Sequence, residues 1–136
     1  KRSLPLFDLP ASAGGGSFLD GEGYEMIERK LREFLETKLE YPVTFEVQKR
    51  PPEKYYVLEK TGGSLEDHIS GSVFALQSYA NSLVDAMEMN EAAKTAMLSA
   101  MELDVVCNVS LNSDYNFTDT DQKKYRYQAV FDVRHY

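Results

Sequence analysis

The sequence predicts an α+β domain, an antiparallel-rich sheet of about five strands with helices packed on one face. Three observations carry this. Apolar side chains recur with a helical period at Ile27, Leu31, Phe34, Leu35 and Leu39. Apolar and polar residues alternate, the period of a half-buried strand, through Tyr125, Tyr127, Ala129, Phe131 and Val133. The two patterns come in blocks rather than in regular turn, which gives the order α-β-β-β-α-α-β-β.

The first helix carries Glu28, Arg29, Lys30, Arg32, Glu33, Glu36 and Lys38 on its outer face. Pro42 ends it, because a residue before proline avoids the helical region. Val43, Phe45 and Val47 alternate with Thr44, Glu46 and Gln48, so a strand is expected over 43–48. Lys49-Arg50-Pro51-Pro52 is a stiff loop. A second strand is expected over Tyr55–Lys60, a turn at Thr61-Gly62-Gly63-Ser64, and a third strand over Ile69–Leu76 with Gly71 at a bulge. Ala80, Leu83, Val84 and Met87 mark one face of the next helix. Asn90 interrupts it and, followed by Glu91, caps a third helix with Ala93, Met97, Ala100 and Met101 inward. Val105, Cys107, Val109 and Leu111 form the inner row of a strand, a polar loop covers Ser113–Gln122, and the strand through Phe131 closes the chain. The sheet face away from the helices then carries Thr44, Glu46, Asn108, Ser110, Arg126, Gln128 and Arg134. Such a polar face is either wet or meets another subunit.

Residues 1–25 differ in character. Pro5, Pro10, Gly14-Gly15-Gly16, Gly21 and Gly23 break any periodicity, so the segment reads as a flexible arm, a linker or a tag, and 26–136 as one α+β domain. Met26, which opens the periodic region, reads as a natural start. Leu4, Leu6, Phe7, Leu9, Phe18 and Leu19 are apolar anchors that would order the arm on a neighbour. Pro10-Ala11-Ser12-Ala13-Gly14 with Phe18-Leu19-Asp20 also resembles the self-cleavage segment of LexA-type repressors, but the rest of the chain shows no matching serine–lysine domain.

Composition narrows the function. The 136 residues carry a net charge of −7, which disfavours nucleic-acid binding at long range. No apolar run approaches the roughly 20 residues of a membrane span. One cysteine excludes an intrachain disulfide, and Cys107 is expected as a buried thiol. His68 and His135 are expected to be exposed and to hold no metal. Of Asp114, Asp119 and Asp121 only the last two have the spacing of a calcium loop and no glycine follows, so the loop reads as solvated. The acceptor tripeptides at Asn108 and Asn116 are set aside, the first because it lies in a strand. Lys49, Arg50 and Lys54 beside Tyr55-Tyr56 interleave basic and aromatic residues as nucleic-acid binders do, yet the acidic balance favours a solvated hairpin. Met87, Met89, Met97 and Met101 fit a core better than a docking surface. No acid/base or nucleophile constellation appears, so the expectation is a protein that is not an enzyme and takes no cofactor or metal. The candidate subunit or partner interface consists of Lys49, Arg50, Lys54, Arg126, Gln128 and Arg134.

From Met26 to Tyr136 the chain resembles the tail-terminator, or tail-completion, proteins of long-tailed bacteriophages and prophages. Three groups carry the likeness: Met26-Ile27-Glu28 through Leu39 to Pro42-Val43; Ser72-Val73-Phe74-Ala75-Leu76-Gln77-Ser78-Tyr79-Ala80; and Asp114-Tyr115-Asn116-Phe117-Thr118-Asp119 with Tyr125-Arg126-Tyr127-Gln128-Ala129-Val130-Phe131. The resemblance implies an α+β fold without catalysis that assembles as a ring, usually a hexamer, at the head–tail junction of the virion after synthesis in the bacterial cytoplasm. Its partners would be further copies, the tail tube protein and the head-completion protein, with DNA passing through unread and no membrane. A related head–tail connector, a minor capsid component and a small adaptor or regulatory protein stay open as alternatives.

Overall fold

The computed structural model describes residues 26–66 and 68–136; the expectations for residues 1–25 lie outside these. The elements run α1 (Ile27–Lys38), β1 (Val43–Thr44), β2 (Tyr55–Glu66), β3 (Ile69–Ala80), α2 (Leu83–Leu98), a 3₁₀ turn (Ser99–Glu102), β4 (Val106–Asn116) and β5 (Tyr125–His135). The five strands form one sheet in the order β1-β2-β3-β5-β4. β1 pairs with β2 in parallel and the other three pairings are antiparallel, so the sheet is mixed.

Both helices pack on one face. A single core joins Leu31 and Leu35 of α1, Ala93 and Met97 of α2, and Leu58, Leu76, Phe131 and Val133 of the sheet. Burial of this apolar surface, at roughly 25 cal/mol per Å², is the main stabilising term. The Tyr56 hydroxyl donates to the Met89 carbonyl at 3.3 Å, tying β2 to α2 inside that core.

Several elements depart from the sequence reading. The first strand stops at Thr44 instead of Gln48, leaving Phe45 41% and Val47 49% exposed. Arg32 is the reason. It donates to the Val43 carbonyl at 3.3 Å and lies over the Phe45 ring, so Phe45 serves a cation–π contact instead of a ladder. The Gly-Gly segment is no turn. β2 runs through it, with an irregularity between Lys60 and Gly62, and the chain reverses only between Glu66 and Ile69, where His68 is exposed and takes φ 67°. Pairing prevails over glycine's weak strand propensity, because β3 is held on its other side by β5 as far as Ser70. Gly71 sits in regular pairing opposite Ser64, not at a bulge.

The two expected central helices are one. Ser82 caps it by accepting from the Asp85 amide at 3.2 Å. Asn90 is no cap but a buried residue of the inner stripe that Ala86, Met89, Ala93 and Met97 define. The phase of that stripe leaves Leu83, Val84 and Met87, expected inward, exposed; Met101 is exposed too, while Met89 and Met97 are core. Asn90 Nδ2 donates to Asp114 Oδ2 at 3.0 Å, and Lys94 Nζ meets the same oxygen at 2.9 Å. This clamp holds Ser113–Asn116 in β4, where a loop was expected.

Cys107 is exposed rather than buried. A register shift between Val106 and Asn108 turns it outward, next to Tyr136, whose hydroxyl pKa is raised by a hydrogen bond with the thiol. His135, expected outside, is buried and 2.8 Å from the Ser72 hydroxyl.

Candidate interaction surface

Alternation along the strands builds a second sheet face, away from the helices. Tyr55, Val57 and Tyr79 form a small buried cluster there, separate from the main core. The register places Tyr79 opposite both Tyr55 and Arg126, and Gln77 opposite both Val57 and Gln128. Two rows of side chains therefore cross the sheet.

The first row is aromatic. The Tyr55 and Tyr79 rings stack with centroids 4.8 Å apart and 8° between planes. The Arg126 guanidinium lies 5.8 Å from the Tyr79 centroid and 4.3 Å from that of Phe117. Arg126 also donates through Nε to the Phe117 carbonyl. Burial pushes the Tyr55 hydroxyl pKa up to about 12, Tyr79 adds to the rise, and Arg126 draws it down. The second row is polar. Gln77 Nε2 donates to Gln128 Oε1 at 2.8 Å, Tyr79 OH donates to Gln77 Oε1 at 3.0 Å, and Gln128 Nε2 donates to Tyr115 OH. Each amide is held by its neighbour, so the row forms a connected hydrogen-bond network. At its outer end Tyr115 and Phe117 meet edge to face, 43% and 38% exposed.

The six candidate interface residues are not one patch. Arg126, Gln128 and Arg134 share this face of β5, with Arg134 exposed at its far end opposite Gly71 and Asn108. Lys49 and Arg50 are exposed in the connection before β2. Lys54 is engaged elsewhere. It bonds the Tyr41 hydroxyl at 3.4 Å and pairs with Asp85 at 3.7 Å; the Tyr41 bond first and Asp85 next raise its pKa. Tyr55 and Tyr56 are buried, which removes the stacking platform of a nucleic-acid reading. Tyr79, Gln77, Tyr115 and Phe117 carry the resemblance but are absent from the candidate interface residues. The signal for the first three is period-2 placement in strands longer than the sequence suggests; Phe117 lies just past the end of β4.

A shallow groove between α1 and the segment before β4 is lined by Phe34, Thr37, Leu103 and Val105, with Lys30 and Asp104 at its rim. Asp119 Oδ1 accepts from the amides of Asp121 and Gln122, a local turn in the loop before β5. Among the described residues, no three His, Cys, Asp or Glu side chains gather as metal ligands. Among them, too, no helix is long and apolar enough to cross a membrane. Compared with protein-family models and with curated proteins, the chain matches none.

Proposed function

We propose that this chain is a structural protein of a phage virion, which caps the tail tube as a homo-oligomeric ring and presents the surface to which the head joins. The observation that carries this reading is the preorganised cluster of Arg126, Tyr115 and Phe117 at the end of the amide row. Tyr, Phe and Arg are enriched at protein interfaces, and the aromatic rings bring large area at low entropic cost. Here hydrogen bonds and ring contacts already engage all three, which lowers the ordering cost of docking. The resemblance of residues 26–136 to tail-terminator proteins points the same way, and the α+β fold agrees with it. The net charge of −7 suits a passage that lets DNA through without holding it.

The test is electron microscopy of the purified chain with isolated tail tubes lacking their terminator. Rings seated on one tube end are expected, and tubes should stop lengthening. Arg126→Ala should weaken that capping severalfold while leaving the circular dichroism unchanged. Tubes that stay bare at saturating protein overturn the reading.

A further inference from the structure

The sheet ends in two borders that no described strand covers. On one side, among the described residues, β4 pairs only with β5 and its outer edge meets no strand. On the other side β1 covers β2 only at Tyr56 and Val57, so the distal part of β2 is open as well. Natural proteins guard such edges with lysine, proline or distortion, because an open edge templates pairing with another chain. These two are weakly guarded. Neither Thr61–Leu65 nor Val106–Ser113 contains a charged residue or a proline. Their irregularities, at 60/62 in β2 and at 106/108 and 111/113 in β4, leave regular runs at Gly62–Glu66 and Asn108–Leu111. Asp114, the nearest charge on β4, is drawn toward α2 by Lys94 and Asn90.

The glycines add a second, independent observation. Glycine inside a strand weakens it relative to alanine and often marks the close approach of another backbone. Among the described residues, nothing asks for Gly62 or Gly63. Neither has a positive φ; a Cβ on Gly62 would meet only Val73, at 3.8 Å, and one on Gly63 would meet the flexible end of Lys60 at 3.3 Å. Successive residues face opposite ways, so β2 offers a side-chain-sized gap on each face. β4 has the complement on the other border: Leu111, 40% exposed, lies on the same sheet face as Gly63. A large side chain laid across an edge glycine is a recognised means of stabilising a strand pair.

We infer that copies of this chain join head to tail by sheet extension, the β4 edge of one copy at Asn108–Ser110 pairing with the β2 edge of the next at Gly62–Ser64, the alignment that keeps both sheet faces in phase. The inference deepens the ring reading and rests on its premise that the chain assembles with itself. Strand directions fit. β2 and β5 run the same way and β4 runs against both, so copies placed side by side in one orientation meet as an antiparallel pair, the stronger kind. The contact uses different surfaces on the two partners, and such contacts close into rings or run on as filaments.

The test uses two variants of the full chain, Ser64→Lys on the β2 edge and Ser110→Lys on the β4 edge, both at exposed positions. Sedimentation is measured for each alone and for an equimolar mixture, up to millimolar protein, with thermal melts confirming the fold. The wild type should form species larger than dimers, and each variant alone should be a monomer. Each mixed pair retains one intact edge of each kind, so the mixture should give a one-to-one dimer that grows no further. Gly62→Val is the second probe: it should melt no lower than the wild type yet associate roughly tenfold or more weakly. A wild type that assembles while neither lysine variant changes its size overturns this inference and leaves the ring reading standing. A Ser64→Lys chain that still dimerises, through two β4 edges, overturns it as well. A wild type that stays monomeric throughout overturns both.

Discussion

The two halves of β2 share a partner and a direction, with one irregularity between Lys60 and Gly62, yet they differ in almost everything else. Tyr55–Leu58 are all buried, whereas from Glu59 to Glu66 only Gly62 is better than exposed. The pairing strand β3 runs beside both. What differs is the layer above and the strand alongside. The first half lies under the helical core through Tyr56 and Leu58 and beside β1; the second has neither cover. Strand pairing satisfies the backbone without burying side chains, so a ladder alone does not make a core.

Leucine truncation breaks the comparison most sharply. Leu58→Ala should destabilise the fold by about 2–5 kcal/mol in denaturant titration, since it leaves a cavity in close-packed surroundings. His135→Ala extends the buried region to the sheet's far corner. It strands the buried Ser72 hydroxyl and should cost about 1–3 kcal/mol by the same measurement. Asp114→Asn tests the clamp between α2 and β4, at about 1 kcal/mol. The Lys94 hydrogen bond first, and Asn90 after it, hold the Asp114 pKa below its ordinary 3.8. A lowered folded-state pKa stabilises above the unfolded value and is lost as pH falls through the folded one. The wild type should therefore lose this contribution on acidification below about pH 4, and the asparagine variant should have none to lose. In the exposed half the signs change. Gly62→Ala should raise stability by about 0.4–1 kcal/mol, read as a higher melting temperature, because the site is free of strain and of crowding. Leu65→Ala, at a residue 71% exposed, should fall within about 0.5 kcal/mol of the wild type.

The same contrast explains what could be read from sequence. α1 was legible, since its charged face and its stripe of Ile27, Leu31, Phe34 and Leu35 are local properties. The body of β5 was legible through its alternation. α2 was misread because its inner stripe is built from alanines, methionine and one asparagine, which carry little hydropathic contrast, while Val84 and Met87 stay outside. The aromatic and amide rows were legible only in part. Arg126 and Gln128 stood out in the last strand, but their partners Tyr79, Gln77 and Tyr115 come from two other strands.

By itself the sequence determined the fold class, the first helix, the last strand and an acidic surface, because period and charge are written residue by residue. Tertiary structure decided where the hairpin turns, how far β1 and β4 run, that Asn90 and His135 go inside, and which edges stay open. Each of these depends on a neighbour far along the chain, β5 beside β3, Arg32 on Phe45, Asp114 on Asn90 and Ser72 on His135. Long-range partners outweigh local propensities that are worth well under about 1 kcal/mol per residue.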